Sequence, residues 1–295
     1  MGYAPSSIEA FGTPARELCL IKHFLNPPNW FTSASLFCST YAMASLLAAP
    51  HPTDPALLVR ASVLVIFAGV FDLLDGRVAR LTNRFTEFGV QLDTIADIVG
   101  FGVAPAMLAW TWKLHELGLA GAVATFWYVL CAAFRLARFN VNTVEKSWDF
   151  PGHSQGLTST MSGGSLVSLI WVSNGCLAAY LRPSPWAIAA LMGALGLLMV
   201  SSIPFRNFKD MRRNRVARRL LAFATACTLT AAFVWDASMW WGTGAALYLT
   251  VGLVDGIVVA IWHRRLRNAL LIDEVVQVLD EGLPPDEDDE VADAG

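Results

Sequence analysis

Long apolar segments recur along this chain and limit what it can fold into. A bilayer is crossed by roughly 17–25 predominantly apolar residues in a helix. Eight segments reach or approach that length, at 30–49, 57–80, 89–112, 119–140, 160–181, 186–203, 220–236 and 242–262. Only 15% of the 295 residues are charged, whereas a soluble domain is about 25% charged. The sequence therefore predicts an all-α polytopic membrane protein.

Basic residues fall almost entirely on one side of these segments. With the N-terminus in the cytoplasm, 18 of the 21 Lys and Arg lie at cytoplasmic ends, and Arg60, Lys113 and Arg182 are the exceptions. Loops rich in Lys and Arg stay in the cytoplasm. We therefore expect both termini on the cytoplasmic side of the inner membrane. The expected partners include membrane lipids and no nucleic acid.

The two ends of the chain carry less information. Residues 1–28 are expected to form a cytoplasmic or interfacial segment, with Pro27 and Pro28 stopping any short helix there. Residues 268–295 end in a run of acids, a composition that remains solvated, so we expect a disordered cytoplasmic tail. The five cysteines have no paired spacing and predict neither disulfides nor a zinc site.

Four aspartates interrupt the second and third apolar segments: Asp72, Asp75, Asp93 and Asp97. Acids three or four residues apart lie on one face of a helix. A chain reversal near Arg84 would bring the two pairs together between antiparallel helices. Each acid buried in a membrane costs about 2.5–3.5 kcal/mol, so the cluster needs compensating positive charge.

Divalent metal compensates these acids better than the nearby arginines do. Arg77, Arg80 and Arg84 lie toward the cytoplasmic end of the stretch, and three arginines cannot fully neutralise four acids there. Carboxylate ligands favour Mg²⁺ or Mn²⁺, and two such ions can hold both sides of a phosphoryl displacement. Gly76 leaves backbone room beside the metals, and Arg80 can form charge-assisted bonds to a diphosphate. The pattern predicts a metal site for a diphosphate substrate.

The spacing of these residues resembles the signature of the CDP-alcohol phosphotransferase family. Every fixed position is matched in Asp72-x2-Asp75-Gly76-x2-Ala79-Arg80-x8-Gly89-x3-Asp93-x3-Asp97. The resemblance implies a membrane core of six helices, usually dimeric, which exchanges the CMP of a CDP-activated lipid for the hydroxyl of a second substrate. On that basis residues 29–215 would be the core, and 216–267 two further transmembrane helices.

The family resemblance also implies roles for individual residues. Asp72, Asp75 and Asp93 would be metal ligands, and Asp97 would contact the second metal and act as the base. Contacts to the CDP part of the donor would come from the PNWFT motif and the signature, through Asn29, Thr32, Gly76, Arg80 and Thr86.

Sequence outside the signature is similar to one branch of this family, the type II phosphatidylserine synthases. The similar stretches are PNWFTSASLFC, EFGVQLDTIADIVGFGVAPA, FRLARFNV and GLTSTMSGG. The resemblance implies CDP-diacylglycerol as donor, L-serine as acceptor and CMP as product. Arg135 and Arg138 could bind the serine carboxylate, with help from Asn140.

Several alternatives remain open on the sequence. The acceptor could be glycerol phosphate, inositol phosphate or choline, and an archaeal ether lipid would need the same headgroup machinery. The arginines near position 135 could instead mark a cytoplasmic loop or bind anionic headgroups. Intramembrane acids also occur in ion-coupled transporters, but we find neither the repeat nor the second acidic cluster that such a transporter would carry.

Overall fold

A computed structural model describes residues 26–82, 86–145, 153–175, 177–206, 241–253 and 256. The predicted span at 220–236 and the acidic tail at 268–295 lie outside these residues, as does most of the N-terminal segment. The described chain is almost entirely helical. Seven helices follow in chain order: α1 (Pro27–Leu47), α2 (Pro55–Thr82), α3 (Glu87–Trp112), α4 (Leu119–Glu145), α5 (Ser159–Asn174), α6 (Pro185–Val200) and α7 (241–253).

The first six helices coincide with the first six predicted spans to within a few residues, except that α5 ends at Asn174, well before position 181. Three described helices are long and apolar enough to cross a membrane, and α6 is a shorter apolar helix. The prediction of an all-α polytopic membrane protein is thus confirmed. The total of eight spans stays a prediction, since much of the C-terminal part lies outside the described residues.

Helix starts follow from local sequence. Pro27 and Pro28 occupy the first turn of α1, a position that tolerates proline because its missing N–H would have no helical partner there. The hydroxyl of Thr86 accepts a hydrogen bond from the Gly89 amide at 3.0 Å and caps α3. Ser184 caps α6 in the same way through the Ala187 amide.

Helix α3 runs between the other helices and is interrupted by a π-helical turn at Ile98–Val103. Pro105 lacks the N–H that would otherwise bond the carbonyl of Phe101. The hydroxyl of the fully buried Tyr128 on α4 donates to that carbonyl at 3.4 Å and lies 3.0 Å from the Ser162 hydroxyl. A π-turn of this kind is common beside functional sites, and this one begins directly after Asp97.

Small residues let the helices approach α3 closely. A side-chain carbon on Gly163 of α5 would lie 2.7 Å from the Phe101 carbonyl oxygen, and one on Gly100 would lie 3.2 Å from the Ser39 hydroxyl on α1. Membrane helices pack through such positions, since lipid supplies no hydrophobic force between them. This packing fixes the position of α3, which carries two of the four aspartates.

A short antiparallel ribbon joins two loops at the ends of the helices. His153–Gln155 pairs with Pro204–Arg206, with Ser154 opposite Phe205. Gly156 follows with φ of 74°, and a side chain there would collide with the Met199 carbonyl oxygen. Apolar periodicity does not predict this ribbon, because the segments are only three residues long.

Candidate active site

The acidic cluster forms where α2 and α3 face each other. Carboxylate oxygens of Asp72 and Asp75 on α2 and of Asp93 on α3 all lie within 4.8 Å of one another. The helical spacing puts each pair on one face, and the chain reversal between the helices brings the faces together, as the sequence predicts. Asp75 is buried, and its Oδ2 accepts a hydrogen bond of 2.7 Å from the Thr32 hydroxyl on α1.

Asp97 lies at the edge of this cluster. Its carboxyl group is in hydrogen-bonding contact with that of Asp72 and lies in the electrostatic field of the Arg135 guanidinium. Its Oδ1 is buried and has no hydrogen-bond partner among the described residues. A buried carboxylate oxygen without a partner is costly. Asp97 is therefore suited to a further ligand that the described residues do not supply.

The carboxylates need a cation that the described residues do not provide. Within the described ranges, the one side-chain ion pair joins Lys113 to Glu116, away from the cluster. Arg84 lies outside those ranges. Oxygen ligands in this number suit a hard divalent cation. The residues present thus fit a metal site, with Asp72, Asp75 and Asp93 as its closest donors.

The residues predicted to contact the donor lie around this cluster. A side-chain carbon on Gly89 would lie 3.0 Å from the Thr86 hydroxyl and 3.1 Å from Asn29 Oδ1, so these two side chains meet over the glycine. The exposed Arg80 folds back along α2, where its Nε donates to the Gly76 carbonyl at 2.9 Å. A side-chain carbon at Gly76 would lie 4.0 Å from the Arg80 Nη2, which is an ordinary contact distance.

A cavity of about 310 Å³ adjoins the cluster on the side of Asp93 and Asp97. Its walls come from α3, α4, the start of α5, and α7. Besides the two aspartates, polar side chains around it belong to Thr94, Arg135, Asn140, Thr158, Thr160 and Tyr248. The cavity therefore places carboxylates on one wall and a guanidinium on another.

Arg135 is held firmly in the cavity wall. It is only 8% exposed, its Nη1 donates to the Ser159 hydroxyl at 3.0 Å, and its guanidinium carbon lies 5.3 Å from the centre of the Phe139 ring. The Asn140 amide donates to Thr94 Oγ1 at 3.3 Å on the same side. A buried, oriented guanidinium of this kind can bind a carboxylate.

Arg138 is engaged elsewhere. Its guanidinium donates to four backbone carbonyls at 2.7–3.1 Å, and it does not line the cavity. The last carbonyls of a helix have no partner within the helix, and the five donors of an arginine can satisfy several at once. Arg138 thus ties the end of α6 to the ribbon, through the carbonyls of Gln155, Met199, Val200 and Ser201.

Four polar residues of the cavity wall are not singled out by the sequence: Thr94, Thr158, Thr160 and Tyr248. Two of them meet in the structure: Tyr248 lies in an apolar segment that resembles any other span, and Thr158 lies in GLTSTMSGG, whose family resemblance assigns it no role. Their side chains form a hydrogen bond with each other beside Arg135. No local pattern marks either residue, because they come together only through the packing of α7 on the core.

Comparisons with known proteins bear on the family of this chain. The family model for CDP-alcohol phosphatidyltransferases matches residues 25–248. CDP-diacylglycerol–serine O-phosphatidyltransferase of Helicobacter pylori (strain ATCC 700392 / 26695) is 32% identical over 188 residues, which are 63% of this chain and 74% of that protein. The protein of the same name from Bacillus subtilis is 34% identical over 185 residues, 62% of this chain and 90% of that protein. The one from Methanocaldococcus jannaschii is 35% identical over 155 residues, which are 52% of this chain and 68% of that protein. With its aspartate signature on two facing helices and a family match over most of its length, the chain belongs to the CDP-alcohol phosphatidyltransferase family.

Proposed function

We propose that this protein transfers the phosphatidyl group of CDP-diacylglycerol to the hydroxyl of L-serine and releases CMP. The observation that carries the proposal is the position of Asp97, between the acidic cluster and a cavity with a buried arginine. A diphosphate needs the first feature and an amino-acid carboxylate needs the second. This is the reaction stated in the names of the relatives given above.

The donor would bind at the acidic cluster. Asp72, Asp75, Asp93 and Asp97 would hold the metal, which we propose to be two ions of Mg²⁺ or Mn²⁺. When bound, such ions neutralise the diphosphate and stabilise charge that develops during phosphoryl transfer. The Thr32 hydroxyl holds the Asp75 carboxylate in place through its 2.7 Å bond, which would position that carboxylate as a ligand.

The nucleotide part of the donor would lie beside the facing ends of α1 and α3. Asn29 and Thr86 meet there over Gly89, and we propose that both contact the cytidine part of the donor. Thr32 and the backbone at Gly76 would line the same region. The exposed guanidinium of Arg80 would bind the diphosphate, since arginine forms charge-assisted bonds to phosphate oxygens.

The acceptor would bind in the cavity. Arg135 would bind the serine carboxylate, and Asn140 would complete the wall near Thr94. We assign Arg138 a supporting role instead, because its guanidinium is bonded to four backbone carbonyls and does not line the cavity. It would hold the loop before α5, and hence Ser159 and Arg135, in position.

In the proposed reaction, the serine hydroxyl gives its proton to Asp97, and the serine oxygen attacks the β-phosphorus of CDP-diacylglycerol. The bond between that phosphorus and the bridging oxygen breaks, and CMP leaves with the electron pair. A positioned general base contributes about 10²–10⁴-fold to a rate. The partnerless Oδ1 of Asp97 at the junction of the two sites suits that role.

The membrane arrangement follows from the same proposal. We propose an inner-membrane protein with both termini and the active site on the cytoplasmic side, in agreement with the basic loops. Residues 29–215 would form the core, 216–267 two added helices and 268–295 a solvated tail. Exposed apolar side chains such as Leu119, Phe126 and Phe134 would face lipid or the second subunit of a homodimer.

An assay of CMP release tests the proposal. Purified protein in mixed micelles with CDP-diacylglycerol is given L-serine, glycerol phosphate, inositol phosphate or choline, with Mg²⁺, with Mn²⁺ or with a chelator. We expect CMP release with serine and metal, and loss of release on chelation. Faster release with another alcohol, or metal-independent release, would refute the proposal.

A further inference from the structure

Helix α7 lies outside the predicted six-helix core, yet it packs closely against that core. A side-chain carbon on Gly242 would lie 2.8 Å from Cγ2 of Val172 near the end of α5. One on Gly252 would lie 3.1 Å from the Phe205 ring in the ribbon, and one on Gly256 would lie 2.8 Å from the Pro204 carbonyl oxygen. These close contacts at both ends of α7 fix its height and its rotation.

The inward face of α7 carries Tyr248. Leu247 and Val251 on the same helix are exposed apolar residues, at 39% and 48%, and suit a lipid-facing surface. Tyr248 instead packs against the buried core and lines the cavity. An aromatic ring with a polar end is well placed at such a boundary, because the ring packs while the hydroxyl reaches a polar partner.

The Tyr248 hydroxyl sits on the same side of the cavity as Arg135. It is hydrogen-bonded to Thr158. The next residue, Ser159, accepts a hydrogen bond from Arg135. The phenol also interacts electrostatically with the Arg135 guanidinium. Asp93 and Asp97 occupy another wall of the same cavity. If the hydroxyl of a small acceptor reacts near Asp97, the opposite end of that acceptor therefore lies near Arg135, Thr158 and Tyr248.

We propose that Tyr248 is a specificity-determining residue, which contacts the carboxylate of the amino-acid acceptor together with Arg135. This inference rests on the proposed function, because it assumes an acceptor that carries a carboxylate. A guanidinium and a phenol hydroxyl both donate hydrogen bonds. An acceptor without a carboxylate offers these donors no charged partner, and polar sites reject substrates that lack the matching group.

The test compares wild type with Tyr248→Phe, which keeps the ring and removes only the hydroxyl. The measurements are the KM for L-serine, the KM for CDP-diacylglycerol, and the inhibition constants of glycine and ethanolamine. Glycine has the carboxylate without the reacting hydroxyl, and ethanolamine has the hydroxyl without the carboxylate. Tyr180→Phe is the matched control, since Tyr180 is 88% exposed and lies outside the cavity.

Loss of a hydrogen bond to a charged group corresponds to about a tenfold change or more. We expect Tyr248→Phe to raise the serine KM and the glycine inhibition constant about tenfold. The CDP-diacylglycerol KM and the ethanolamine constant should stay within about twofold of wild type, as should every constant of Tyr180→Phe.

Three results would overturn the inference. An unchanged serine KM would remove the hydroxyl from the acceptor site. A raised serine KM with an unchanged glycine constant would show that the hydroxyl does not contact the carboxylate. Loss of the folded protein in Tyr248→Phe would make the hydroxyl a structural group. Failure of the proposed function is distinct, because wild-type protein would then release no CMP with serine.

Discussion

Asp97→Asn tests the proposed division of labour among the four aspartates. The substitution keeps the shape of the side chain and removes both its charge and its capacity to accept a proton. Asp97 differs from the other three because its buried Oδ1 has no partner among the described residues. It also lines the cavity, together with Asp93. The three closest carboxylates, at Asp72, Asp75 and Asp93, remain in place to hold metal and donor.

Removal of the proposed base should therefore lower kcat more than it weakens binding of the donor. A positioned base is worth about 10²–10⁴-fold, which corresponds to about 2.7–5.4 kcal/mol of activation free energy. We expect kcat to fall by about that factor while the CDP-diacylglycerol KM changes by less than about tenfold. The assay is steady-state CMP release at saturating serine and metal, with thermal unfolding in detergent to confirm the fold.

Glu116→Gln provides the control for this experiment. Glu116 is an exposed acid paired only with Lys113 at 3.4 Å, and an exposed pair contributes about 0–1 kcal/mol. Its kcat should match wild type. An Asp97→Asn protein that retains substantial turnover would refute the role of Asp97 as base. One that loses donor binding as severely as turnover would make Asp97 chiefly a metal ligand.

Three further substitutions test the proposed acceptor site, the bonds from Arg138 to the end of α6, and the proposed donor site. Arg135→Ala should raise the serine KM about 30-fold or more, since removing one partner of a buried charge pair costs about 2 kcal/mol or more; an unchanged serine KM would exclude Arg135 from the acceptor site. Arg138→Ala should chiefly lower the unfolding temperature in detergent, because four carbonyls lose their donor; an unaltered unfolding temperature with a raised serine KM would show that Arg138 binds the acceptor. Gly89→Ala should raise the CDP-diacylglycerol KM, because the new methyl group would meet Thr86 and Asn29 at about 3 Å. Gly164→Ala is its control, with no atom within 4 Å of the added carbon, and equal donor KM values in the two variants would contradict the crowding at Gly89.

The sequence predicts the first six helices and the convergence of the acids because both depend on local spacing. Apolar length sets where a membrane helix can lie, and spacings of three and four residues set which acids share a face. Asp72 and Asp75 therefore had to face the same way, and so did Asp93 and Asp97. Only four residues separate α2 from α3, which leaves few ways to keep the pairs apart.

Contacts between distant helices could not be predicted in this way. Arg135 and Arg138 are three residues apart and equally basic, yet one lines the cavity and the other caps α6. Which role each takes depends on how far α4 is rotated and where α6 ends beside it. The hydrogen bond from Thr32 to Asp75 depends likewise on the relative height of α1 and α2.

The sequence by itself determined a membrane-embedded helical chain, its cluster of acids and the family to which it belongs. Tertiary structure alone decided the cavity beside that cluster, where Arg135, Thr158 and Tyr248 come from different parts of the chain. The physical reason is that a cluster of like-charged residues on two adjacent helices is visible as spacing. A cavity exists only once separate helices have packed at fixed heights and rotations, which here depends on glycines that allow α5 and α7 to approach their neighbours.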